Sequence, residues 1–261
     1  MHFEPVYILS GLLVGFIVGM TGVGGGSLMT PILLHFGIAP SAAVGTDLLY
    51  AAVTKAGGIY VHNKKRNIDW RITGWLAAGS LPASALTLFA MHQIGFDSAG
   101  MNQFIKVMLG YALIFTALAI IFKKKLLEFS HRNDIWIARM SPSEQTAATA
   151  ITGIILGVIV TITSIGAGAV GTVALFLLYP MLPTTKLIGT EIAHAVPLTL
   201  IAGLGHAGFG NLDLQLLGNL LLGSLPGIYI GSHLASNVAD HYLRPALAVM
   251  LVIVGGKLVA L

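Results

Sequence analysis

"TGVGGGSLMTP", residues 21–31, interrupts an apolar N-terminal segment with three consecutive glycines, Gly24, Gly25 and Gly26. Glycine weakens a helix by about 1 kcal/mol relative to alanine. The run therefore predicts a break in the middle of a hydrophobic segment. What kind of break it is depends on the medium around the chain.

Composition settles the medium. Of 261 residues, 56% are hydrophobic and only 9% are charged, against about 25% charged in soluble domains. The mean hydropathy of +0.86 agrees. The chain reads as an integral membrane protein. Its apolar stretches are long and continuous, without an alternation of period two, so it is helical rather than a barrel. The N-terminus, MHFEPVYILSG, carries Glu4 and no Lys or Arg. It lacks the basic start of a cleaved signal and is expected to be retained. With no cysteine in the sequence, disulfides, thiolate metal sites and thiol relays are excluded. The pI of 9.4 points to basic cytoplasmic loops rather than to nucleic acid.

Apolar segments fall at 6–20, 27–36, 41–61, 71–91, 104–122, 146–163, 168–180, 187–207, 213–235 and 243–260. The polar stretch between 122 and 146 reads as a linker, giving a first repeat (1–122), a cytoplasmic linker (123–145) and a second repeat (146–261). The halves resemble each other. VGTDLLYAAV (44–53) lies over IGTEIAHAVP (188–197), and the same offset aligns His62 with His206, Asn67 with Asn211, Asp69 with Asp213, and GSLP (79–82) with GSLP (223–226). Upstream, TGVGGGS (21–27) lies over TSIGAGA (163–169), and Gly11 and Gly15 lie over Gly153 and Gly157.

Charge orients the halves. Loop 62–71 holds four Lys or Arg and linker 123–145 holds five, whereas loop 208–213, the mate of loop 62–71, holds none. Positive loops stay in the cytoplasm, so the two halves are expected upside down relative to each other. Segments 6–36 and 146–180 each go in and come back, as re-entrant hairpins or as two crossings. The expected fold is an all-α polytopic membrane protein of two inverted-topology repeats, each a Gly-broken helical hairpin plus three transmembrane helices. Inverted repeats with broken helices mark secondary transporters, whose sites lie where the breaks meet.

The Gly-rich break followed by proline, the downstream VGT-acidic segment, and the repetition of both resemble the sulfite exporter TauE/SafE family, over nearly the whole chain. The resemblance implies a permease for a sulfite, thiosulfate, organosulfonate or related anion, and leaves substrate and direction open. The second copy departs from the pattern: Ala167 replaces a glycine, and Val173 stands where the first copy has Pro31.

A helix restarting after a break presents unpaired N–H groups with about half a positive charge, and glycines let an anion approach them. The candidate substrate-binding residues are Thr21, Gly22, Gly24, Gly25, Gly26 and Ser27 in the first break and Thr163, Ser164, Gly166 and Gly168 in the second. The competing reading is that the glycines only permit tight helix packing. Lys55 joins the set as a basic residue deep in a span, either a substrate counter-ion or a side chain snorkelling toward loop 62–71. Asp47 and Glu191, each after Gly-Thr, read as caps at helix starts; the alternative is proton coupling, with His194 three residues beyond Glu191 on the same face. His62 and His206 read as interfacial, not as metal ligands, and no metal-site spacing occurs. Asn67/Asp69 and Asn211/Asp213 read as caps. The GSLP prolines are expected to kink spans, and Trp70, Trp75 and Trp136 fit interfacial anchors or core.

Three functions compete: a gradient-driven transporter with protons as the preferred coupling ion, an uncoupled anion channel of the same architecture, and an intramembrane enzyme. The enzyme ranks last, since only Glu191 and His194 approach a catalytic set, and without a Walker motif the energy would come from gradients. The expected partners are a small sulfur-containing anion and the lipid bilayer, specifically the cytoplasmic membrane; no nucleic acid, no cofactor and no metal are expected. Oligomeric state is not readable.

Overall fold

A computed structural model describes residues 3–21, 26–95, 97–132, 140–234 and 240–260. Among the described residues every regular element is a helix: α1 (Pro5–Thr21), α2 (Gly26–His35), α3 (Pro40–Lys64), α4 (Trp70–Ile94), α5 (Ser98–Arg132), α6 (Pro142–Thr163), α7 (Ala169–Leu178), α8 (Thr184–Gly208), α9 (Leu214–Leu234) and α10 (Asp240–Ala260). The helical membrane class expected from composition is what the chain adopts. Among the described residues, α4, α6 and α8 and the apolar parts of α5 and α9 are long and apolar enough to cross a membrane. Their outer faces carry Leu86, Phe89, Phe115, Ile155, Leu204 and Tyr229, all exposed, as a lipid-facing surface requires.

The second interruption falls where its glycine run predicts it, whereas residues 22–25 of the first run lie outside the described residues. α1 stops at Thr21 and α2 starts at Gly26; α6 stops at Thr163 and α7 starts at Ala169. α2 and α7 are each 10 residues long, about 15 Å at 1.5 Å per residue, or half a hydrocarbon core.

Two boundaries differ from expectation. α5 continues past 122 to Arg132, because a helix is not obliged to end where apolarity does. α6 starts at Pro142 rather than 146, because Ser141 and Glu144 form a reciprocal capping box with Pro142 in the first turn, which satisfies N–H groups that a helix start leaves open. Asp69 caps α4 as expected, accepting from the N–H groups of Arg71 and Ile72, and Asp213 accepts from the Leu216 N–H at 2.8 Å. Pro82 and Pro226 lie inside α4 and α9. Trp70 and Trp75 are exposed; Trp136 lies outside the described residues.

The broadest seams pair α1 with α9, α4 with α6, α3 with α8 and α5 with α10. Glycines bring the first two pairs to backbone contact. A Cβ at Gly11 would fall on Leu220 and one at Gly15 on Ser224; likewise, a Cβ at Gly153 would fall on Leu76 and one at Gly157 on Ser80. Rising numbers meet rising numbers, so α1 runs parallel to α9 and α4 parallel to α6. By contrast α3 and α8 are antiparallel: Gly45, early in α3, sits against His206 late in α8, and Gly189, early in α8, sits against His62 late in α3.

Candidate functional site

Among the described residues, α3 and α8 carry the buried acidic and basic groups, Asp47, Lys55, Glu191, His194 and His206. Asp47 is fully buried and lies about two turns inside α3, so it is not a cap as the Gly-Thr-acid pattern suggests; the N–H groups there already serve the helix. Its Oδ2 instead accepts from the hydroxyl of Thr30 on α2 and from Ser164 at 2.9 Å, while Oδ1 has no partner. Glu191 is likewise inside α8 and 2% exposed, and its Oε1 makes no hydrogen bond. It faces Gly171 on α7, where a Cβ would stand 3.2 Å from Glu191 Cγ.

Lys55, two turns beyond Asp47 on α3, is 8% exposed. Its Nζ donates to the backbone carbonyl of Ala167 at 2.6 Å. Snorkelling is therefore replaced by an inward tether to the second break. The ammonium acts electrostatically on Asp47, Glu191 and His194, so one cation faces groups on both helices. His194 is completely buried; its Nε2 meets Ser80 Oγ at 2.8 Å, and its Nδ1 has no partner. Tyr50 on α3 and Ser224 on α9 are likewise buried neighbours.

The second break is held in a shape that suits glycine. Ser164 (φ +59°), Gly166 (φ +118°) and Gly168 (φ +140°) take left-handed or related backbone conformations, which cost a side-chain-bearing residue energy. Thr163 is spent locally: its hydroxyl donates to Ile159 O at 2.6 Å and accepts from the Ile165 N–H at 3.2 Å. No side chain caps the start of α7. Thus Ser164, Ala167, Lys55 and Asp47 are brought together, while Gly166 and Gly168 shape the turn. In the first break, Gly22, Gly24 and Gly25 lie outside the described residues. Thr21 ends α1 and Gly26 and Ser27 open α2, and only their backbone is described.

Three contributors escaped the sequence reading. Thr30 and Ser80 supply hydroxyls to Asp47 and His194, and Ser224 faces Tyr50. The available signal was a polar residue repeated inside an apolar span, in GSLP. His206 is also corrected: it is fully buried, not interfacial, because its Nε2 meets the carbonyl of Thr161 at 2.8 Å.

The sequence model of the family described as "Sulfite exporter TauE/SafE" matches residues 7–258. The chain belongs to the sulfite exporter TauE/SafE family. It is 40% identical over 253 residues to "Probable membrane transporter protein YjnA" of Bacillus subtilis (strain 168), covering 97% of this chain and 98% of that one. It is 26% identical to "Probable membrane transporter protein YdhB" of the same organism, with 92% and 94% covered, and 28% identical to "Probable membrane transporter protein MJ0441" of Methanocaldococcus jannaschii, with 77% and 70% covered. No solved structure matches the chain. As a TauE/SafE member with this helical architecture, it is a multi-pass membrane transporter.

Proposed function

We propose that the chain is a secondary transporter moving sulfite, thiosulfate or a small organosulfonate across the cytoplasmic membrane by alternating access. The observation that carries the reading is Lys55: a buried ammonium tethered to the carbonyl of Ala167 in a glycine-shaped helix break. Exchanging that carbonyl for an oxyanion gives Lys55 a charge-assisted partner. The Ser164 hydroxyl and the uncapped start of α7 supply further donors. The family name supports a sulfur oxyanion.

Two inverted repeats provide the moving parts. The antiparallel α3–α8 seam supports inversion, and so do the matched contacts. Asp69 N–H donates to Thr190 Oγ1 as Asp213 N–H donates to Thr46 Oγ1, and Gly11 meets Leu220 as Gly153 meets Leu76. Rocking one half against the other would expose the site to each side in turn. Protons are the coupling ion, and the candidate carriers are Asp47, Glu191 and His194. The burial of all three with Lys55 favours a carrier over an open channel.

Counterflow in proteoliposomes tests this reading. Vesicles preloaded with unlabelled sulfite, thiosulfate or methanesulfonate should accelerate uptake of the labelled anion in wild type and lose that acceleration in Lys55→Met. Uptake without trans-acceleration would indicate a channel, and absence of uptake for all three anions would refute the reading.

A further inference from the structure

Around Lys55 the charges do not balance. The cation faces two buried carboxylates, Asp47 and Glu191, so the fully charged centre sums to minus one. A monovalent anion bound at Lys55 would raise this to minus two in a site from which water is excluded, where like charges repel strongly. One added proton restores the original sum.

The two carboxylates are not equivalent receivers. Asp47 holds hydroxyl donors from Thr30 and Ser164 on one oxygen, which favour the ionised form. Asp47 Oδ1 and Glu191 Oε1 are each buried without a donor, so the two hydroxyls on Asp47 Oδ2 make the difference. Beside Glu191, Gly171 offers no side chain, and a Cβ there would stand 3.3 Å from Oε1. The elements packed on α8 are α3, α4, α6 and α7. They bring few other charges: Arg71 and His92 at the ends of α4, Glu144 in the first turn of α6, His62 and Lys64 at the end of α3, and none from α7. Lys55 is the charge that acts on Glu191.

We propose that Glu191 is the proton site of this transporter, and that it takes up one proton as the anion binds at Lys55, so that anion and proton cross together. The inference rests on the anion-transport reading and assigns its coupling. The balance is simple: Glu191 carboxylate, one proton and one anion give the neutral acid beside an anion-loaded Lys55. For a monovalent anion the loaded centre carries the same charge as the empty one. An inward proton gradient then drives uptake, whereas export requires an outward anion gradient. Asp47, held by its hydroxyls, stays charged and positions the second break.

The test is calorimetric binding of sulfite, thiosulfate and methanesulfonate to wild type, Glu191→Gln and Asp47→Asn, each in two buffers of different ionisation heat. Wild type and Asp47→Asn should take up about one proton more per bound anion than Glu191→Gln does, a difference in which the ligand's own titration cancels. Equal uptake in wild type and Glu191→Gln overturns the proposal, as does loss of uptake in Asp47→Asn alone. Should Glu191→Gln fail to fold, wild type decides on thiosulfate and methanesulfonate, whose charges are constant near neutral pH. On the alkaline side its Kd should rise about tenfold per pH unit, the slope of one linked proton, and a flat Kd overturns the proposal. Binding and counterflow without proton uptake remove the coupling and leave the transport reading standing; absence of binding and counterflow for all three anions removes both.

Discussion

Gly79→Ala tests whether the parallel seams depend on backbone contact. A Cβ at Gly79 would stand 2.9 Å from Ile154 N and 3.0 Å from Ala150 C, and closer still to Ala150 O, where ordinary contact starts near 3.4 Å. These are backbone atoms of α6, so no side chain can turn aside, and the helices must separate. Overpacking of this kind costs about 1–3 kcal/mol. The substitution also gains about 1 kcal/mol of helix propensity, which must be removed from the comparison. Gly74, on the same helix, is exposed and has nothing within 4 Å of its would-be Cβ, so Gly74→Ala carries the propensity gain alone. The two variants should therefore differ by about 1–3 kcal/mol, with Gly74→Ala the more stable. Reversible unfolding by SDS titration in mixed micelles measures the difference. Equal midpoints would refute the close-packing argument.

Gly223→Ala, whose Cβ would press on Ile8 and Leu12 of α1, should lose stability to the same extent in that assay. Lys55→Met should lower counterflow about tenfold to a hundredfold, the worth of a hydrogen bond to a charged group, with folding checked by gel filtration in detergent. Asp69→Ala should cost about 0.5–2 kcal/mol for the lost α4 cap. Its 3.3 Å ion pair with Lys186 adds less than about 1 kcal/mol, because both side chains reach solvent; the SDS midpoint reads the sum. Ser80→Ala leaves His194 Nε2 buried without its partner and should cost about 1–3 kcal/mol, whereas Gly74→Ala on the same helix should not.

What was legible followed from local chemistry. Glycine runs, capping residues and apolar length act through the nearest few residues, so the second helix break, the Asp69 cap and most helix bounds could be read directly. Lys55 stood out because a cation within an apolar span has few places to go. Asp47 and Glu191 were misplaced because Gly-Thr-acid resembles a helix start locally, and only packing shows α3 and α8 continuing through it. The Ser80–His194 contact joins residues 114 apart in sequence, and His206 finds its acceptor 45 residues away. Such partners are set by how helices lie against one another, which no window of sequence contains.

The way the helices pair has a consequence for what counts as a folding unit here. α1 is clasped by α9 and α6 by α4, while α3 lies against α8 and α5 against α10. A chain severed between 132 and 142 would yield two fragments whose widest apolar faces all belong to the missing piece. Each fragment would leave part of its interior open, since the buried clusters draw residues from both sides of the cut. A lesion on either side therefore weakens both.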